Sequence, residues 1–217
     1  MIFTGIAGTG HHYYWLGAPR YWLWIGGIFS ALEPLPIALM LYDTYVHVKH
    51  TNRRFEPRLT WIYLVGNVVI HFIGAGLFGF AHTLPMINYY THGSQVTVSH
   101  GHLAFYGAYV LINLTFFYYA IPRIKGFPGG KYEEKPGLWG FWLLSLGVLG
   151  MSLGFAVAGV LQAYLERMQG QPYIIAQEPI RFWMLVVFAH GVLLVLPGVF
   201  ITVKHLLTLK PAAKAAA

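Results

Sequence analysis

The stretch FWMLVVFAHGVLLVLPGVFITV, Phe182 to Val203, decides the fold. Its one ionisable side chain is His190, and it is as long as the roughly 20 residues that cross a bilayer as a helix. Working outward, this run reaches from 180 to 206, and four others of the same kind fall at 19–48, 58–88, 97–122 and 137–165. In hydrocarbon every backbone N–H and C=O must be satisfied within its own segment, so such runs read as helices. The composition agrees, at 57% hydrophobic and only 10% charged. The expected fold is an all-α integral membrane protein with five complete transmembrane helices. Residues 1–17, MIFTGIAGTGHHYYWLG, read as the latter part of a further, partial N-terminal helix, because Met1 has no basic signal-peptide flank. Residues 1–210 form one transmembrane domain and the Ala/Lys-rich 211–217 a flexible tail. No repeat of fixed period is visible.

A net charge of +7 would point to nucleic acid in a soluble protein, but here Lys and Arg lie between apolar runs. They are topology signals, and the partner they imply is the lipid bilayer, with no nucleic acid. Lys49, Arg53, Arg54 and Arg58 fall in one connection, Arg123, Lys125, Lys131 and Lys135 in another, and Lys204, Lys210 and Lys214 at the C-terminus. Those regions are expected to be cytoplasmic, whereas the other side receives only Arg20, Arg167 and Arg181. Cysteine is absent, which removes disulfides, thiolate metal sites and cysteine nucleophiles and leaves histidine and carboxylate as the strong ligands.

On this topology His11, His12, Glu33, His82, His100 and His102 fall at one depth, in the outer half of the membrane. Ionisable side chains there are costly and rare, so their convergence points to a buried redox or metal centre. His100 and His102 are two residues apart, about 200° around a helix, and so face nearly opposite sides. They serve two separate sites, two haems among the options, or they begin a helix while bonded to carbonyls or headgroups. Gly101 between them leaves the backbone open to a flat group on either side. His11 and His12 are about 100° apart, close enough after a modest distortion to meet one ion, and Gly8 and Gly10 supply the freedom for it. The alternative is an interfacial belt, since Tyr13, Tyr14 and Trp15 follow directly.

Glu33, in Ser30-Ala-Leu-Glu-Pro-Leu-Pro36, is the acidic residue deepest in a span. It is therefore protonated, or beside a cation, or a packing carboxylic acid bonded to a hydroxyl. Pro34 and Pro36 break the helical bonding just after it. A hard carboxylate among imidazoles suits iron better than Cu(I). His71 and His190 read as lone, satisfied core histidines. His47, His50 and His205 lie among lysines and read as solvated headgroup contacts. His82 and His92 flank an outer loop, where they are candidates to hold haem propionates or order water.

Together His11-His-Tyr-Tyr-Trp15, Ser30-Ala-Leu-Glu-Pro-Leu-Pro36, Asn88-Tyr-Tyr-Thr-His-Gly93 and His100-Gly-His-Leu-Ala-Phe-Tyr-Gly107 resemble the catalytic subunit of bacterial nitric oxide reductase. That family is a branch of the haem-copper oxidase superfamily, and the resemblance covers the C-terminal half of its catalytic chain only. It implies the subunit I helical bundle, with His11, His12 and Glu33 as ligands of a non-haem iron and Glu33 also as the catalytic acid beside it. It also implies His100 as proximal ligand of a high-spin haem b and His102 as an axial ligand of a low-spin haem b. In this family two nitric oxide molecules are reduced to nitrous oxide and water with two electrons and two protons. The resemblance places a third iron ligand, the second low-spin haem ligand and a calcium-binding acidic residue on helices upstream of Met1. Those would come from a missing N-terminal half or from a partner chain. Ile37-Ala-Leu-Met-Leu-Tyr-Asp-Thr-Tyr45 and Tyr164-Leu-Glu-Arg167 are more similar to single-subunit, quinol-using reductases than to those fed by cytochrome c, and the electron donor is one of these two. The implied location is the bacterial cytoplasmic membrane, with the C-terminus inside, the active site toward the outer face, protons taken up from outside and no pumping.

Two other readings stand beside this one. A cbb3-like oxygen reductase also uses paired histidines, but Glu33 argues against a copper site. A non-catalytic, haem-binding electron-transfer subunit would fit the absent upstream ligands. A nitric oxide dismutase would have altered ligand positions, whereas the ligands here are intact.

Overall fold

A computed structural model describes residues 6–51 and 57–212. Arg53, Arg54 and Lys214, three of the topology signals, lie outside them, as does most of the 211–217 tail. The described chain is helical almost throughout, with five helices long and apolar enough to cross a membrane: Tyr21–Thr51, Arg58–Thr83, Gln95–Ile124, Lys135–Met168 and Tyr173–Leu207.

The first span is two helices in line, α1 (Tyr21–Ala31) and α2 (Pro34–Thr51), separated at Leu32 and Glu33. The break has a local cause. Pro34 and Pro36 donate no hydrogen bond, the Leu32 amide is shared between the carbonyls of Ile28 and Phe29, and the Glu33 amide bonds to Ser30 in a tightened last turn. Glu33 thereby sits in the turn between the two helices rather than on a helical face.

The second span, α3 (Arg58–Thr83), ends five residues earlier than the apolar run suggests. Leu84 is extended (φ −79°, ψ 116°) because Pro85 disfavours helix in the residue before it, and a separate short helix α4 (Pro85–Thr91) follows. The third and fourth spans are α5 (Gln95–Ile124) and α6 (Lys135–Met168). The fifth, α7 (Tyr173–Leu207), starts seven residues before the expected 180. Hydropathy hides this first part, which carries Gln177, Glu178 and Pro179, yet it continues the helix past the apolar stretch. Wider π-helical turns interrupt α3 at Phe72–Gly79, α5 at Tyr106–Leu111 and α7 at Gly191–Val195, and another ends α6 at Ala163–Met168.

α6 is the centre of the bundle, packed against α5 on one side and α7 on the other, with α3 beyond α5. One core runs through it: Leu59 and Tyr63 of α3, Leu111 and Tyr118 of α5, and Phe141 and Leu144 of α6. Tyr132 and Leu209 close that core at one end, where Pro211 pairs with Tyr132 in an isolated bridge, so the expected tail begins inside an ordered contact. α2 has no buried residue of its own.

His205 corrects the reading of a solvated headgroup contact. It is 6% exposed, accepts from the Tyr118 hydroxyl at 3.1 Å and donates to the Glu133 carbonyl at 2.8 Å. Its lysine neighbours are close in sequence, whereas its actual partners are distant in it. His47 and His50 are exposed on α2 as expected. His190 donates to the Val186 carbonyl at 2.8 Å and fills the space a side chain at Gly150 would need.

Candidate metal centre

The segment before α1 contains the paired histidines. Thr9–Tyr13 forms a 3-10 turn laid against α1, and Gly26 makes the approach feasible: a methyl there would overlap the backbone of Gly10 and His11. A 3-10 turn sets neighbouring residues about 120° apart around its axis, so the two imidazoles meet through their side-chain orientation rather than through the winding. The rings of His11 and His12 lie 4.1 Å apart between centroids, tilted by 36°.

The segment is fastened at its C-terminal end. Tyr14 donates its hydroxyl to the Thr83 carbonyl at 2.8 Å, and Trp15 donates its indole N–H to Asn88 Oδ1 at 2.7 Å. Asn88 is buried, and its Nδ2 donates to the His82 carbonyl at 2.8 Å. The end of α3, helix α4 and the histidine arm are thus joined through one amide side chain.

His11, His12 and Glu33 line one cavity of about 300 Å³ with His71, His82 and His100. An adjoining apolar cavity of about 300 Å³, between α2 and α3, shares Pro34, Ile37, His71 and Gly76 with it. Each is at the lower end of the roughly 300–1,000 Å³ typical of cofactor sites. His71 was missed as a site residue in the sequence. The signal was there: His71, Ala75, Gly79 and His82 recur at helical spacing and all line the cavity. His71 Nδ1 is 3.3 Å from the Ala104 carbonyl.

The α5 histidines separate as their spacing requires. His100 faces the cavity, donates from Nδ1 to the Gly74 carbonyl at 2.8 Å and stacks on His82 with ring centroids 5.2 Å apart. His102 is exposed, donates to the Val98 carbonyl at 2.9 Å and packs on Phe155 of α6 with centroids 4.9 Å apart. A side chain at Gly101 would meet nothing within 4 Å.

His82 and His92 do not share a site. His82 is buried, with Nδ1 on the Phe78 carbonyl at 2.8 Å and Nε2 3.4 Å from Thr97 Oγ1. His92 is exposed and lines a separate surface hollow of about 440 Å³ with Trp15, Tyr89 and Arg167. Arg167 clamps this loop by donating to the Tyr89 and His92 carbonyls, each at 2.6 Å. Partial burial, and then the Arg167 guanidinium, hold the His92 pKa below its usual 6.5.

The donors suit haem and iron. Histidines that bind metals characteristically donate their second ring N–H to a carbonyl or other acceptor, which orients the free nitrogen. His100 and His102 both do so through Nδ1, and His11 Nδ1 is 2.7 Å from Ser30 Oγ. Among the described residues no three His or carboxylate groups stand close enough to hold one ion, so His11, His12 and Glu33 do not form a three-ligand site by themselves.

Residues 1–208 match the model of the family described as cytochrome c and quinol oxidase polypeptide I. The chain is 46% identical to a nitric oxide reductase subunit of Stutzerimonas stutzeri over 169 residues, 76% of this chain and 35% of that protein. It is 25% identical to cytochrome bo(3) ubiquinol oxidase subunit 1 of Buchnera aphidicola subsp. Baizongia pistaciae (strain Bp) over 154 residues, 65% of this chain and 22% of that protein. The chain therefore spans about a third or less of the length of the curated relatives it matches.

Proposed function

Because the chain belongs to the cytochrome c and quinol oxidase polypeptide I family, whose members are haem-copper oxidase-type redox proteins of the membrane, we propose that it forms part of a nitric oxide reductase. The reaction is reduction of two nitric oxide molecules to nitrous oxide and water with two electrons and two protons. The observation that carries this reading is the convergence of His11, His12, Glu33 and His100 on one cavity in a chain 46% identical to a nitric oxide reductase subunit.

The bound haem and non-haem iron would bind and polarise the two substrate molecules and supply electrons. His100 would ligate a high-spin haem b through Nε2, since its Nδ1 is engaged by Gly74, and His102 would ligate a low-spin haem b on the other face of α5. His11 and His12 offer two nitrogens to the non-haem iron, and the upstream portion of the enzyme or a partner chain completes the ligand sets. Glu33, in the turn before Pro34, would adjoin the iron and pass protons to the substrate oxygen. His71, His82 and the apolar wall of the adjoining cavity restrict water around that step. His82 and His92 remain candidates to contact haem propionates or ordered water.

The distribution of Lys and Arg supports a bacterial cytoplasmic membrane location with Lys204 and Lys210 inside and the cavity nearer the outer face. Electrons come from quinol or cytochrome c, and calcium, if present, is bound upstream of these residues. The testing experiment is metal and haem analysis of the native complex containing this chain. Iron in excess of haem without copper supports the reading, whereas copper would turn it toward an oxygen reductase, which the 25% identity to a quinol oxidase subunit favours as the second reading.

A further inference from the structure

Ser30 is 3% exposed on the last turn of α1, and its hydroxyl makes two contacts at once. Oγ lies 3.0 Å from the Gly8 carbonyl oxygen and 2.7 Å from His11 Nδ1. A hydroxyl has one proton, and a carbonyl oxygen can only accept. The Ser30 proton therefore goes to Gly8, leaving only lone pairs for His11, and Nδ1 must carry the hydrogen that bridges to Ser30. Both contacts are hydrogen bonds only when Nδ1 carries a hydrogen.

We infer that Ser30 is a positioning residue, a latch that fixes His11 in its Nδ1–H tautomer and presents Nε2, with its lone pair, as the nitrogen that binds metal. The inference rests on the iron reading above and deepens it. The Gly8 turn is pressed onto this latch, since a methyl at Gly8 would sit 2.8 Å from Ser30 Oγ and 3.1 Å from Glu33 Oε1. His100 and His102 are oriented by backbone carbonyls, which substitution cannot remove, whereas His11 has a side-chain acceptor in Ser30 beside the Gly8 carbonyl. That makes the latch the orienting contact open to direct test.

The experiment measures ferrous iron affinity at the non-haem site of the intact complex by competition with a chelator, with haem content and spectrum recorded on the same samples. Loss of an outer hydrogen-bond partner of a ligating histidine weakens metal binding by roughly 10–100-fold. Ser30→Ala is expected to show that loss with the haem spectrum of the wild type, and Ser30→Thr, which keeps the hydroxyl, to restore affinity. Wild-type affinity in S30A overturns the latch, and so does equal loss in S30A and S30T, which would mean packing rather than the hydrogen bond. If S30A also loses haem, the near-isosteric S30C decides: its thiol is a weak acceptor, so weakened iron binding is expected, and wild-type affinity is the contrary result. A wild-type complex with no non-haem iron removes the parent reading and the latch with it, whereas an iron-containing wild type with an indifferent S30A removes the latch alone.

Discussion

Asn88→Ala is expected to loosen the histidine arm as well as destabilise the bundle. Asn88 is 5% exposed and joins three segments: its Nδ2 donates to the His82 carbonyl at 2.8 Å and its Oδ1 accepts the Trp15 indole N–H at 2.7 Å. The His82 carbonyl belongs to a buried residue, and an acceptor left unpaired there costs about 1–3 kcal/mol. Trp15 is 43% exposed, so its N–H can turn to water, and only the net value of one hydrogen bond, about 1 kcal/mol, is lost on that side. The sum is about 2–4 kcal/mol. The assay is unfolding of the purified protein in detergent, followed by tryptophan fluorescence, for N88A, W15F and the double variant. Residues sharing a hydrogen bond couple by about 0.5–3 kcal/mol, so the double variant should cost less than the two singles together. A loss in N88A below about 0.5 kcal/mol, the scale of an ordinary surface change, or simple additivity with W15F, would refute the bridging role.

Three further outcomes follow from the site. His100→Ala should remove the high-spin haem signal and leave the low-spin one, while His102→Ala should do the reverse; optical and electron paramagnetic resonance spectra check both. Glu33→Gln should retain haem and iron but slow nitric oxide turnover by roughly 10²–10⁴-fold, the usual share of a positioned acid or base, as read by an amperometric electrode. His92, outside the spans, has its pKa held below 6.5 by partial burial and by Arg167, so the unfolded chain takes up a proton before the folded one. Stability from this loop is therefore complete above pH 6.5 and declines as pH falls below it, and His92→Asn should flatten that decline in thermal melts taken on both sides of 6.5.

Much of this fold was legible because membrane helices announce themselves by length and apolarity. The break at Glu33 was legible from Pro34 and Pro36, and the division between His100 and His102 from helical geometry alone. The end of α3 at Thr83 also had a local signal, Pro85, which an apolar run extending to 88 concealed. The early start of α7 was not legible by hydropathy, because residues 173–180 are helical without being uniformly apolar. His205 was misread because its neighbours in sequence are lysines, while the groups that bury it, Tyr118 and Tyr132, come from another span and a loop. His71 looked isolated because its relation to His11 and His12 exists only after α3 packs beside α1. The Ser30 contact was equally invisible, since it depends on a 3-10 turn pressed against a helix nineteen residues away.

Nitric oxide reduction is proposed for the cavity lined by His11, His12, Glu33 and His100. The most direct measurement supplies reduced donor and isotopically labelled nitric oxide to the purified native complex without oxygen, and follows both gases by mass spectrometry. One nitrous oxide formed for every two nitric oxide consumed is the predicted result, whereas nitric oxide that binds the haem without being consumed would contradict it.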